Sequence, residues 1–137
     1  MPSRQIYVNL PVKDLERSKA FFTALGFAFN PRFSDANAGC LVISDGIFAM
    51  LLAEPFFRTF TTKQIVDTRT SIEVLLALSC ESRAEVDAMV EKAVAAGGRI
   101  ARDAKDHGFM FERAFEDPDG HTWEVFWMDP NAAPPHP

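Results

Sequence analysis

Hydrophobic and polar residues alternate along the first strand-like segment of the chain, residues 6–12, which read IYVNLPV. A period of two predicts a half-buried strand whose two faces differ in character. After this segment Asp14 stands at an N-cap position, apolar residues follow at helical spacing, and Gly26 closes the pattern. A capping side chain at one end and a glycine at the other predict a helix between them.

Three shorter extended runs follow the helix, at 27–33, 39–43 and 47–53. Asp45 and Gly46 separate the last two runs, and an Asp-Gly pair in this position is typical of a two-residue hairpin. The segment 54–70 is less regular. Its three phenylalanines predict a short helical lid or an interface patch, formed by Phe56, Phe57 and Phe60.

The same order of elements then repeats. Residues 72–80 alternate as a strand, Ser82 caps a second helix, and Glu85 stands three residues later in the capping-box position. A Gly-Gly pair at 97–98 ends that helix. Three further extended runs follow, with a Pro- and Gly-containing turn between the last two, at 99–105, 109–116 and 122–128.

The repeat defines the predicted organisation of the chain. The order is β-α-β-β-β twice, which predicts an α+β protein of two tandem βαβββ modules at about 5–66 and 70–128. A repeat of this size indicates that each module needs the other to close its core. The 137 residues suffice for one compact domain of this kind. The tail, 129–137, is predicted to be disordered.

Composition narrows the classes of partner. A net charge of −5 disfavours contact with phosphate backbones, so nucleic acid is not an expected partner. No apolar run approaches the roughly 18 residues of a membrane span, and the first residues do not resemble a signal peptide, so a cytoplasmic location without membrane contact is expected. The 13 phenylalanines exceed what one small core needs. They favour an aromatic association surface, and we expect a homodimer.

Two segments resemble a known family. NLPVKDLERSKAFFTALGF, at 9–27, resembles the first strand and helix of the vicinal oxygen chelate superfamily, which includes glyoxalases, bleomycin resistance proteins and extradiol dioxygenases. FEDPDGHTWEVFW, at 115–127, resembles its last hairpin. The resemblance covers about 5–128. It implies curved mixed sheets around a cup, and in many members this cup holds a divalent metal that chelates two neighbouring oxygens of the substrate.

The resemblance also implies where metal ligands would stand, on the first, fourth, fifth and eighth strands. Those positions hold Tyr7, Met50, Leu75 and Glu124. Leucine cannot bind a metal, methionine is a poor ligand for hard cations and tyrosine is an occasional one. No metal cofactor is therefore expected. A divalent metal stays open through a fallback set of Tyr7, Glu73 and Glu124, because a two-residue slip keeps Glu73 on the same strand face as Leu75.

The histidines do not supply the missing ligands. His107 and His121 both stand in turn-like segments, and His136 stands in the tail. Solvated turn residues are the plainest interpretation of the first two.

The alternation of the strands assigns candidate binding residues to the cup. Glu124, among apolar neighbours, is interpreted either as a general acid or base with a raised pKa, or as a satisfied ion pair with Arg113 or a hydroxyl. Arg113 is interpreted either as a contact for a substrate carboxylate or as a salt bridge facing helix or solvent. The predicted substrate-binding residues are Tyr7, Asn9, Phe48, Met50, Leu75, Arg113 and Phe126.

Two functions from different classes stay open. One is a glyoxalase-like protein that binds a small molecule in an apolar cup without the usual metal, as bleomycin resistance proteins bind their drug. An acidic aromatic cup would suit a cationic planar guest. The other is a metal-dependent enzyme with a non-standard ligand set, resembling lactoylglutathione lyase or an extradiol dioxygenase.

Overall fold

The computed structural model describes residues 4–132, and the chain divides into two units, Met1–Ser71 and Ile72–Pro137. Each unit contains one four-stranded mixed sheet. The predicted α+β fold of two tandem βαβββ modules is confirmed. The tail predicted to be disordered lies outside the described residues from 133 onward. Among residues 4–132, no helix is both long and apolar enough to cross a bilayer.

The first unit follows the predicted order. Its elements are β1 (Ile6–Val12), α1 (Leu15–Ala24), β2 (Ala28–Phe29), β3 (Ala38–Ser44), β4 (Ile47–Ala53) and the short α2 (Glu54–Phe57). The sheet order is β1-β4-β3-β2, with β1 parallel to β4 and the other pairs antiparallel. Asp14 caps α1 as predicted, because its Oδ1 accepts a hydrogen bond from the Arg17 amide at 3.1 Å.

One predicted strand of this unit is largely wrong. Of the extended run 27–33, only the two residues of β2 pair with β3, and Pro31–Phe33 forms a single 3₁₀ turn. Pro31 has no amide hydrogen to donate to a ladder. The Asn30 side chain instead accepts from the Arg32 amide at 3.0 Å, which caps the turn.

The second unit repeats the arrangement. Its elements are β5 (Leu75–Ser79), α3 (Arg83–Ala95), β6 (Arg99–Asp106), β7 (Met110–Glu116) and β8 (Thr122–Met128). The sheet order is β5-β8-β7-β6, with β5 parallel to β8. Helix α3 buries Val86, Val90 and Ala93, and it packs on β7 and β8. The buried residues of those two strands include Phe115, Trp123 and Val125.

Strand β5 is shorter than the predicted 72–80. Its first ladder pair joins Leu75 to Thr122, the first residue of β8. Residues 117–121, directly before Thr122, form a turn in which the Asp117 amide donates to the His121 carbonyl at 3.0 Å, so they offer no ladder to the residues before Leu75. Glu73 therefore precedes the strand, and it is exposed.

Arg83, the first residue of α3, clamps the β6–β7 hairpin to the helix. Its guanidinium donates to both carboxylate oxygens of Asp106 at 2.8 and 3.0 Å, and to the Gly108 carbonyl at 3.0 Å. It also lies 5.3 Å from the ring centroid of Phe111 and 5.1 Å from that of Trp127. The hydrogen bond from Arg83 lowers the pKa of Asp106 to about 2, so this carboxylate is ionised at neutral pH.

We expect the substitution Arg83→Gln to loosen this hairpin locally. Glutamine is uncharged, so it can form neither the two-pronged ion pair with Asp106 nor the cation–π contacts with the two aromatic rings. Amide hydrogen exchange at His107 and Gly108 should become about tenfold faster, since opening the hairpin would cost less free energy. The matched control is Arg69→Gln, because Arg69 makes an equally two-pronged contact with Asp67 in an exposed loop of the first unit. Unchanged exchange at Gly108 in Arg83→Gln would contradict the clamp.

Candidate functional site

The second sheet carries polar chemistry on the face turned away from α3, here called the distal face. The ladder sets Ala77 beside Glu124 and Glu124 beside Ala114 on this face. Neighbouring positions of the same face are occupied by Leu75, Thr122, Phe126, Met128 and Glu112. The predicted alternation of β8 is confirmed, since Trp123 and Val125 are buried on the other face.

Arg102 reaches across this face to Glu124. The ladder sets Arg102 beside Ala114, which itself pairs with Glu124, so the three residues form a row across three strands. Ala114 has no side chain beyond Cβ, and the long arginine side chain therefore passes over it. Arg102 Nη2 donates to Glu124 Oε2 at 2.8 Å and to Glu112 Oε1 at 2.6 Å. Irregularities of the ladder on both sides of Arg102 bend β6 at this position.

A histidine extends the cluster along the hairpin. His107 Nε2 lies 3.3 Å from Glu112 Oε2. The side chains of Arg102, Glu112 and Glu124 are 27%, 17% and 23% exposed, so the cluster is half-buried but reachable from solvent. Hydrogen bonding, first to Glu124 and then to Glu112, raises the pKa of Arg102. Its guanidinium is thus a permanent positive charge between two carboxylates.

Glu124 and Arg113 each form an ion pair, on opposite faces of the sheet. Glu124 is half-buried in an ion pair, but its partner is Arg102 and not Arg113. Arg113 pairs with Val125 in the ladder and so points to the α3 side, where its Nη1 donates to Asp87 Oδ1 at 2.9 Å. Arg113 therefore forms a salt bridge on the helix side of the sheet, and it does not share a face with Glu124.

Sequence reasoning missed Arg102. It lies 22 residues from Glu124 along the chain, on the edge strand of the sheet. The irregular ladder of β6 removes the simple alternation that would have assigned Arg102 to the distal face. A signal was present in the two alanines that flank Glu124 in the ladder, since small neighbours leave room for a long side chain.

Glu124 retains acceptor capacity on this surface. A carboxylate offers about four lone-pair sites. Within residues 4–132, the Glu124 carboxylate accepts one side-chain hydrogen bond, which Arg102 donates to Oε2. The other oxygen, Oε1, can accept a hydrogen bond from a ligand. Leu75, which is 55% exposed, and Phe126 supply apolar surface on the same face.

The predicted binding residues of the first unit also gather on one face. The ladder pairs Tyr7 with Phe48 and Asn9 with Met50. The rings of Tyr7 and Phe48 stack with their centroids 4.6 Å apart and their planes 11° apart. The Tyr7 hydroxyl donates to Gln5 Oε1 at 3.1 Å, and Asn9 Nδ2 donates to the Tyr7 carbonyl at 3.3 Å. This face carries a stacked aromatic pair, and the side chains of Tyr7 and Asn9 each donate one hydrogen bond to a residue two positions away in the chain.

The phenylalanine segment after β4 is helical, as one interpretation of the sequence had it. Phe56 and Phe60 meet edge to face, with ring centroids 5.2 Å apart. Phe60 is 67% exposed.

The donor set does not fit a divalent metal. In the first unit the implied positions hold a stacked tyrosine and a methionine, Tyr7 and Met50. In the second unit they hold Leu75 and a glutamate already bound by a guanidinium. The fallback ligand Glu73 lies outside β5. Within the described range 4–132, no three His, Cys, Asp or Glu side chains form a group that could hold a metal ion.

The thiols are not activated nucleophiles. Cys40 is fully buried, and burial raises its pKa. Burial, followed by the charge of Glu85, raises the pKa of Cys80 to about 11. Both thiols are therefore protonated at neutral pH, and a protonated thiol is a weak nucleophile.

Comparison with known proteins places the chain in a family. The model of the Glyoxalase/Bleomycin resistance protein/Dioxygenase superfamily matches residues 4–125, and the chain belongs to this superfamily. No curated protein matches the chain.

Solved structures share the fold. A hypothetical protein from S. aureus is 25% identical over 93% of this chain and 95% of its own, with a TM-score of 0.79. A glyoxalase-related enzyme from Fulvimarina pelagi is 26% identical over 91% of this chain and 88% of its own, with a TM-score of 0.75. A fosfomycin resistance protein from Mesorhizobium loti is 16% identical over 93% of both chains, with a TM-score of 0.66, and this likeness concerns the fold alone.

Proposed function

We propose that this protein binds a small, partly apolar organic molecule on the distal face of its second sheet, and that it does so without a metal ion. The observation that carries the proposal is the Arg102–Glu124 contact of 2.8 Å. The one carboxylate that matches the family's ligand positions is already bound by a cation of the chain itself. Glu124 thus acts as a hydrogen-bond acceptor for a ligand and not as a metal ligand.

The surroundings of Glu124 support a binding role. A few placed polar groups on a mainly apolar surface are typical of small-molecule sites. Here Glu124 supplies the acceptor, while Leu75 and Phe126 supply apolar contact on either side along the strands. Both side chains share the distal face with Glu124, so one ligand of modest size can touch all three.

The charge of the cluster guides the choice of probe. Two carboxylates and one guanidinium leave one negative charge when His107 is neutral. Three compounds with the same naphthalene ring but different charges test the site: the cation naphthylmethylamine, the neutral naphthalenemethanol and the anion naphthaleneacetate. We expect saturable shifts of amide signals in β5 and β8, seen by proton–nitrogen correlation spectroscopy, with the amine as the strongest of the three.

The substitution Glu124→Gln then tests the acceptor. It keeps the shape of the side chain and removes its charge. We expect the affinity for naphthylmethylamine to fall by about tenfold or more, because a hydrogen bond to a charged group contributes roughly 1.5–3 kcal/mol. The matched control is Glu91→Gln on the exposed side of α3, which should bind the amine as the unaltered protein does.

Two results would overturn the proposal. If none of the three naphthalenes shifts β5 or β8, the distal face is not a binding site. If elemental analysis finds one transition-metal ion per chain that is lost in Glu124→Gln, the metal-dependent lyase or dioxygenase alternative is favoured.

A further inference from the structure

His107 connects the ion-paired cluster of the distal face to the exposed turn of the β6–β7 hairpin. Its Nε2 lies 3.3 Å from Glu112 Oε2. The other oxygen of Glu112 accepts from Arg102 Nη2 at 2.6 Å, and the same nitrogen donates to Glu124 Oε2 at 2.8 Å. The contacts therefore run without a break from the imidazole, which is exposed, to the carboxylate of the proposed binding site.

Histidine is the residue type whose charge changes between roughly pH 5 and 8. With both carboxylates ionised, the cluster carries one negative charge while His107 is neutral and no net charge once His107 is protonated. Protonation also turns the contact with Glu112 into an ion pair. Glu112 then divides its attraction between two cations, and Arg102 is drawn more strongly toward Glu124.

The charges that β6 and α3 place next to His107 are constant over this pH range. Asp106, the preceding residue, is ionised because the hydrogen bond from Arg83 lowers its pKa to about 2. Arg83 itself keeps its positive charge at all ordinary pH values. Lys105 pairs with Glu112 in the ladder and supplies an exposed cation.

The remaining neighbours of the turn come from β7 and from the end of β8. The ring of Phe109 lies 6.1 Å from the imidazole, centroid to centroid. The Asp129 amide donates to the Phe109 carbonyl at 2.7 Å, and Asp129 Oδ1 accepts from the Asn131 amide at 2.9 Å. Among the groups named around the turn, His107 is thus the one that titrates near neutral pH.

We propose that His107 sets the charge selectivity of the distal face. When His107 is neutral, the cluster is anionic and favours a cationic ligand at Glu124. When His107 is protonated, the cluster is neutral and this preference is lost. The ligand preference rests on the proposed function, whereas the electrostatic link between His107 and Arg102 does not.

The three naphthalenes test the selectivity, because their charges differ over the same pH range. Between about pH 7.5 and about pH 5.5, the affinity for naphthylmethylamine should fall at least about threefold, since a positive charge appears in the cluster that the amine contacts. Naphthaleneacetate should gain affinity over the same interval. Naphthalenemethanol, which is uncharged, should change by less than about 1.5-fold.

The substitution His107→Gln removes the titrating group and keeps a polar side chain of similar reach. Naphthylmethylamine should then bind at both pH values with the affinity that the unaltered protein shows at the higher one. The matched control is His121→Gln in the same unit, because His121 lies by Asp117 in the turn before β8. This variant should keep the full pH dependence.

A second readout needs no ligand. The side-chain Nε–H signal of Arg102 should shift with pH, with the same midpoint as the imidazole signals of His107, because both side chains contact Glu112. The shift should disappear in His107→Gln and persist in His121→Gln.

The outcomes separate the two proposals. If no naphthalene binds but the Arg102 signal follows the titration of His107, the proposed function fails and the control of the cluster by His107 stands. If naphthylmethylamine binds the distal face equally well at both pH values, the proposed function stands and the role of His107 is overturned. An Arg102 signal that ignores the titration of His107 overturns it as well. Should His107→Gln fail to fold, the unaltered protein still decides, because both signals are followed in one sample.

Discussion

Replacing Asp117 by alanine is expected to lower the free energy of unfolding by about 3 kcal/mol, because it leaves several amide and indole donors without an acceptor. Asp117 is 4% exposed. Its Oδ1 accepts from the amides of Asp119 at 2.9 Å and His121 at 3.1 Å, and its Oδ2 accepts from Trp123 Nε1 at 3.0 Å. One carboxylate thus fastens the turn before β8 to the largest buried side chain of the sheet.

The measurement is urea denaturation followed by tryptophan fluorescence. Burial raises the pKa of Asp117, whereas its three donors favour the ionised form. Asp117→Asn keeps one oxygen acceptor, and we expect it to lose roughly half as much stability as the alanine variant. The control is Asp45→Ala in the hairpin turn of the first unit, where the aspartate is exposed. A loss in Asp117→Ala no larger than in this control would show that the turn does not depend on its carboxylate.

Replacing Ala114 by leucine is expected to disrupt the cluster on the distal face and to destabilise the second unit by about 1–3 kcal/mol, the usual cost of overpacking. Ala114 is 1% exposed and lies in the row between Arg102 and Glu124. A branched side chain at this position fills the path that Arg102 takes. The Arg102–Glu124 ion pair should therefore break, and the side-chain Nε–H signal of Arg102 should shift toward that of a solvated arginine.

The second alanine beside Glu124 provides the control. Ala77 flanks Glu124 on the β5 side and is exposed, and the arginine does not cross it. We expect Ala77→Leu to change the free energy of unfolding by less than about 0.5 kcal/mol and to leave the Arg102 signal in place. If both leucine substitutions shifted the Arg102 signal equally, the Arg102 side chain would not pass over Ala114 as described.

Much of the fold could be predicted because its determinants are local. The cap of α1 needs only Asp14 and the amide of Arg17, three residues apart. The cap of α3 likewise needs only Ser82 and Glu85. The two faces of β8 follow from alternation alone, which assigned Glu124 to one face and Trp123 to the other. The sequence by itself determined these elements, their order and the face on which Glu124 lies.

Tertiary structure decided the features that depend on register between distant strands. Strand β5 begins at Leu75 because β8 begins at Thr122, and this pairing is not visible in the residues before Leu75. Arg102 meets Glu124 because an irregular ladder turns β6 and a small residue of β7 lies between them. The alternation of β8 shows that Glu124 lies on a mainly apolar face, and a charge that is buried there needs a partner. Only the packing of three strands selects Arg102, and not Arg113, to provide it.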